Sequence, residues 1–255
     1  MIWAELFAAL HRLASPAPAP TPPAPPMPRP SKDDPLPRTG HSEAVLASPL
    51  SGFHGEARKL NAVDLCAAAR KLGVDPLDLK VIIAVETSDS GFDAENRPTI
   101  LFEPHQFYRL LDEPQRTQAV NQGLAYAVWT PKGYGTDTDQ YPRLIKACSI
   151  HREAALKATS WGLGQIMGLN YASIGFGNVS AMVAAAMESE AQQLGMICAF
   201  LEHNHLVEPL KAHDWAKFAY GYNGSGYATE HYDRRLAGYF AQFAKATAAT
   251  PTATA

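Results

Sequence analysis

No stretch of this 255-residue chain stays apolar over the roughly 20 residues that a helix needs to cross a bilayer, so stable membrane insertion is not expected. Cysteine is scarce: Cys66, Cys148 and Cys198 are odd in number, stand in no metal-binding spacing, and sit among apolar helical neighbours. They are expected to be buried free thiols, which suits folding in a reducing compartment. Excess positive charge is missing as well. A net charge of −3 without any Lys/Arg run gives a nucleic-acid partner no bulk electrostatic support. His203 and His205 are two residues apart and share no helix face, and His-Glu-x-x-His does not occur, so neither a metal nor a cofactor is expected. Gly-x-Ser-x-Gly and phosphate-cradling glycine loops are also absent, which leaves hydrolase-elbow and nucleotide readings without an anchor. No period of solenoid length recurs.

What is present is a globular composition with uneven ends. Met1 to Leu13 is apolar but carries Glu5 and has no basic residue ahead of its apolar part, so it makes a poor secretory signal and reads as a short amphipathic segment over 1–14. Pro and Ala dominate from Ser15 to Pro37, and small polar residues follow to Gly55; 15–55 reads as an extended, polyproline-like linker. The folded domain is expected over 56–245, with a disordered Ala/Thr tail over 246–255.

Within that domain the pattern is mostly helical. Asn61 caps a helix ending at Gly73, and Asp75 caps another, with Pro76 at its first position and Asp78 in its first turn. Leu79, Ile82, Ile83 and Glu86 recur at helical spacing, so the second helix carries a carboxylate on its apolar face up to a break at Ser88, Ser90 and Gly91. Thr99 to Phe102 favours a strand and is expected to form one arm of a small hairpin; Pro104 to Leu111 is helical. Two helices follow near Tyr141–Ala147 and His151–Ala158, then a glycine-rich turn at Trp161–Gly168. Ser180 to His203 reads as the longest helix, with Glu190 inside its apolar stripe. Asp214 caps a helix closing at Asn223-Gly224, and a last helix spans about Glu230 to Ala244. About eight helices and one β excursion describe a mainly α (α+β) globule, with the Asp75 helix at its centre.

Cleavage of a glycosidic bond needs a protonated acid at the leaving oxygen, and a second group or a self-assisting substrate. Glu86 suits the first role, because an apolar setting raises a carboxyl pKa toward working pH. Glu103, at the end of the β run, is the natural second group, against the alternative that it only caps the helix starting at Pro104. Glu190 is a third candidate, on the substrate-binding side, weighed against a paired structural acid. Trp161, Tyr222 and Tyr227 near glycine turns suit sugar stacking or core packing, and Gln165 and Asn223 offer amides that read hydroxyl and N-acetyl groups.

In order along the chain, Glu86-Thr-Ser, Gly162-Leu-Gly-Gln-Ile-Met167 and Ala219-Tyr-Gly-Tyr-Asn223 resemble the three-part signature of lysozyme-like muralytic enzymes, including goose-type lysozymes and lytic transglycosylases. The resemblance is closer to the N-acetylmuramidase family of phage endolysins. It is carried by Arg97-Pro-Thr-Ile-Leu-Phe-Glu103 with His105 and Phe107, Ser160–Gly168, Ser189-Glu-Ala-Gln-Gln-Leu194, Asp214-Trp-Ala-Lys-Phe-Ala219 and Tyr222-Asn-Gly-Ser-Gly-Tyr227. Asp89-Ser90 and the glycine before Tyr222 depart from the family pattern.

The resemblance implies a lysozyme-like fold. It also implies hydrolysis of the β-1,4 bond between N-acetylmuramic acid and N-acetylglucosamine, with Glu86 as acid and Glu103 as base or stabiliser. Glycan strands of peptidoglycan would be the partner of a monomer, made in the cytoplasm and acting on the cell wall after release or export. The competing readings are a lytic transglycosylase, a delivered antibacterial effector with the same domain, and a glycan-binding module without catalysis.

Overall fold

The computed structural model describes residues 53–86, 90–128, 140–228 and 231–249. The amphipathic segment, nearly all of the linker, and the chain past Ala249 lie outside the described residues, as do Ser88, Asp89, Trp129 and Tyr134.

Helices begin where the sequence supplies caps. The Asn61 side chain accepts from the Val63 and Asp64 amides, Asp64 accepts from the Asn61 amide, and α1 (Ala62–Leu72) ends at Gly73 with φ 71°. At the head of α2 (Pro76–Glu86), Asp75 accepts from the Leu77 amide at 2.7 Å while Asp78 accepts from the Asp75 amide at 3.1 Å. This helix buries Asp78, Leu79, Val81, Ile82, Val85 and Glu86, while Ile83, expected on that face, is half-buried. It packs between α1 and the last helix, α10 (Tyr232–Ala249), which continues past the expected end near Ala244.

The β excursion forms where expected, but its partner is distant. β1 (Ile100–Phe102) pairs antiparallel with β2 (Thr159–Trp161), Ile100 opposite Trp161, and the hairpin is instead that of β2 with β3 (Ile166–Met167). Successive side chains of a strand point to opposite faces. Accordingly Ile100 and Phe102 enter one core with Phe107, Leu144 and Met182, and Leu101 enters a second with Leu79, Val85, Leu194 and Tyr232. The small sheet is the partition between two apolar cores.

The remaining helices are α3 (Pro104–Leu110), α4 (Gln115–Asn121), α5 (Gln140–Lys157), α6 (Val179–Glu188), α7 (Glu190–His203), α8 (Val207–Lys211) and α9 (Trp215–Asn223). The short α4 and α8 were not anticipated. Within α5, His151 leaves helical geometry at φ −155° and ψ 96°, dividing the stretch where two helices were expected.

The largest departure is at Ser180–His203, which is two helices rather than one. Ser189 is extended (φ −163°, ψ 156°) and caps α7, its side chain accepting from the Gln192 amide at 3.2 Å. Backbone groups released by the break are satisfied by the chain near Arg58, which donates to Glu188 O at 3.1 Å and accepts from the Glu190 amide at 2.9 Å. The thiols also need correction. Cys198 is buried and Cys148 half-buried, but Cys66 is exposed, turned away from the α1 face that buries Ala69 and Leu72. The result is a mainly helical, lysozyme-like globule with one small antiparallel sheet among the described residues.

Candidate active site

Glu86 ends α2 with its carboxyl 3% exposed. Its nearest described partner comes from the far end of the chain: Tyr232, fully buried on α10, donates its hydroxyl to Glu86 Oε1. Arg235, one turn further on, donates to the Val85 carbonyl at 2.7 Å, where a helix C-terminus has acceptors to spare. Tyr222 stacks on Tyr232 with ring centroids 6.3 Å apart and 12° between planes. Burial first, and then the Glu86 charge, push both phenols well above their ordinary range, so both remain neutral hydroxyl donors.

The turn between β2 and β3 joins this group through Tyr222. Gly162 (φ 67°) and Gln165 (φ 46°) both take left-handed backbone, and the Gln165 amide donates to Gly162 O at 3.1 Å. The Gln165 side chain is 6% exposed, and its nitrogen donates to Thr99 O at 3.1 Å and to Gly162 O at 2.9 Å. Tyr222 spans to this turn, donating to Gly164 O at 3.1 Å. A side chain at Gly164 would meet Ile197 Cγ1 at 2.3 Å, which accounts for a glycine there. The glycine before Tyr222 has a similar reason: a Cβ on Gly221 would lie 2.3 Å from Leu206 Cδ2. Asn223, at the end of α9, is 9% exposed, and its side-chain nitrogen is buried without a hydrogen-bond partner among the described residues. The structure therefore joins Glu86, Tyr232, Tyr222 and the Gly162–Gln165 turn into one connected set.

Glu103 follows β1 in extended backbone (φ −105°, ψ 93°) and is fully buried. It occupies the N-cap position of α3, yet its side chain makes no capping bond; His105 Nδ1 lies 3.2 Å from Glu103 Oε2 instead. Alternation along the strand puts Glu103 on the side of Leu101, toward the core that contains α2.

Two other candidates sit elsewhere. Trp161 is 1% exposed, packed against Phe53 at 5.7 Å, with its indole N–H donating to Leu156 O at 3.2 Å. The ring is a core member, offering no open face to a sugar. Glu190 is likewise a paired acid. It accepts from the Leu60 amide at 2.7 Å, the Gly91 amide at 2.9 Å and Ser90 Oγ at 3.0 Å, with Lys59 Nζ at 3.4 Å. Burial pushes its pKa up, but the Leu60 and Gly91 amides, Ser90 and Lys59 outweigh that and hold it below the ordinary value.

Sequence reasoning missed Tyr232 and Gln193. Tyr232 shows the same helical spacing as its core neighbours Leu236 and Tyr239, so nothing local distinguishes it. Gln193, 1% exposed, stands in the Ser189–Leu194 motif, where nothing local marks a role of its own.

The geometry can be set beside known proteins. The model of the N-acetylmuramidase (Muramidase) family matches residues 75–244, which takes in Glu86, Glu103, the Gly162–Gln165 turn, Tyr222 and Tyr232. The crystal structure of a Burkholderia AP3 phage endolysin is similar at 36% identity with a TM-score of 0.67, covering 77% of this chain and 76% of that one. No curated protein matches. With the family model spanning the helix of the buried acid, the sheet turn and the closing helix alike, the chain belongs to the N-acetylmuramidase family, a family of glycoside hydrolases acting on peptidoglycan.

Proposed function

We propose that this protein hydrolyses the β-1,4 bond between N-acetylmuramic acid and N-acetylglucosamine, with Glu86 as the general acid. The observation that carries this reading is the Glu86 carboxyl at the end of α2, held on one oxygen by Tyr232, whose ring stacks on Tyr222, which in turn bonds the Gly162–Gln165 turn. In its protonated form Glu86 carries the proton to the leaving sugar oxygen. Tyr232 then stabilises the carboxylate that remains. Asn223, with a spare buried donor beside Tyr222, suits an acetamido or hydroxyl oxygen of the glycan. Gln165 supports the turn through its nitrogen and is the second amide suited to the glycan.

Glu103 is the second carboxylate, oriented by His105, and serves as base or as stabiliser of the oxocarbenium-like transition state. A carboxyl separation of about 6.5–9.5 Å in the complex corresponds to inversion, and about 5 Å to retention. One observation favours the one-acid alternative: a Glu103 that is fully buried and already paired with His105 is poorly placed to activate bulk water. In that case the substrate's own hydroxyl attacks, as in a lytic transglycosylase.

Mass spectrometry of the products from purified peptidoglycan separates the two. Reducing muramic ends support hydrolysis, and anhydro ends refute it. Glu86→Gln is expected to abolish release, and a fully active Glu86→Gln variant overturns the assignment of the acid. The similarity to a phage endolysin supports bacterial cell-wall lysis as the setting, with a delivered antibacterial effector as the other route to the same substrate.

A further inference from the structure

Resting on Glu86 as the acid, we infer that Gln193 and Glu190 are positioning residues which fix the acid-bearing end of α2 against the Gly162–Gln165 turn. The break at Ser189 starts a new helix, α7, at the height of both loops, and its first turn reaches each of them. Gln193 Oε1 accepts from the Leu163 amide at 2.8 Å, and its nitrogen donates to Gly91 O at 3.2 Å and to Ala186 O at 2.8 Å. Glu190 takes the other backbone group of the same glycine, accepting from the Gly91 amide at 2.9 Å. Both backbone groups of Gly91 are therefore bound by one helical turn.

Two glycines make room for this wedge. A Cβ on Gly91 would lie 1.8 Å from Gln193 Oε1, and one on Gly162 would lie 2.4 Å from Gln193 Cδ. Only glycine at both positions lets the amide fit between the backbone at Gly91 and the Gly162–Gln165 turn. Leu163, held by Gln193, packs in the core that includes Val85 and Tyr232, so the clamp is continuous with the apolar packing around the end of α2. Ser90 adds a third tie, donating to Glu190 at 3.0 Å while accepting from the Phe92 amide at 3.0 Å. An unbroken helix through residue 189 would carry neither side chain to these loops in this register.

A misplacement of about 1 Å at a catalytic group costs on the order of 100-fold in rate. The test uses the full chain with soluble glycan fragments, assayed well below the melting midpoint of each variant. Glu190→Gln keeps the side-chain shape but cannot accept from both Gly91 and Leu60 as the carboxylate does; Gln193→Met removes all three of its hydrogen bonds. The expected result is a kcat lower by about 10- to 100-fold, an unchanged KM and an unchanged pH–rate profile, in protein whose circular dichroism is that of the wild type. Glu190→Asp, which keeps the charge, is expected to recover part of the rate. If Gln193→Met does not fold, Glu190→Gln decides alone. A lowered melting midpoint with wild-type kcat in folded Glu190→Gln overturns the positioning role. An inactive Glu86→Gln beside a fully active Glu190→Gln refutes positioning only, whereas a fully active Glu86→Gln overturns the acid assignment and the positioning role with it.

Discussion

Replacing Tyr232 with Phe removes one oxygen from the candidate site and leaves the packing nearly intact. The ring still stacks on Tyr222, at 6.3 Å and 12°, and stays in the core beside Leu236. What disappears is the hydroxyl that donates to Glu86 Oε1. Such a bond gains strength as Glu86 gives up its proton, so it counts for more in the transition state than in the ground state. Hydrogen bonds to charged groups contribute about 1.5–3 kcal/mol. At about 1.36 kcal/mol per factor of ten, kcat should fall roughly 10- to 150-fold. The pH profile supplies an independent sign. A general acid works only while protonated, so the rate falls as pH rises through its pKa. The Tyr232 bond favours ionised Glu86, and removing it raises that pKa, which moves the alkaline limb of the profile to higher pH. Steady-state kinetics across pH on soluble glycan fragments measures both effects. A Tyr232→Phe enzyme with wild-type kcat and an unmoved alkaline limb would refute the reasoning, whatever its melting midpoint.

Asn223→Ala deletes a buried nitrogen that has no hydrogen-bond partner, so the melting midpoint should hardly change while KM rises several-fold in the same assay. Trp161→Ala should cost about 3–5 kcal/mol in chemical denaturation, as for other large aromatics removed from a core, with kcat per folded molecule retained. Glu190 has a folded-state pKa below its ordinary value of 4.5, so its contribution to stability is complete above that value and is lost as pH falls through the lower, folded one. Melting midpoints measured from neutral to acid pH should therefore decline less steeply in Glu190→Gln than in the wild type.

Much of this fold is written locally. Asn61, Asp75 and Asp214 mark helix starts with side chains that accept from the helix's own amides, Gly73 ends α1 through its left-handed backbone and its own N–H, and those ends fall where the residues say. The acid's place on the buried face of α2 follows from its spacing to Leu79 and Ile82 alone. The break at Ser189 was not legible, because a serine inside an apolar helical stripe is ordinary and the cause lies with Arg58, far back in the chain. The same holds for β1, whose strand character is local but whose partner, β2, is not. Trp161 misleads for a related reason: a tryptophan beside glycines suits a sugar platform, and only Phe53 and the sheet reveal it as core. Tyr232 has a repeating aromatic pattern for company, and its bond to Glu86 joins residues 146 positions apart.

That separation has a bearing on how the protein comes into being. Closing a loop of 146 residues costs on the order of 4 kcal/mol in chain entropy, a cost met only when α10 docks on α2. The acid can be made, and its helix can form, long before the tyrosine that grips it has left the ribosome. A nascent chain thus holds every residue of the Gly162–Gln165 turn while still lacking the hydroxyl on Glu86. The Tyr232–Glu86 bond can form only once α10 has docked on α2, so on the proposed role of Glu86 a change that loosens α10 should lower activity before it unfolds the molecule.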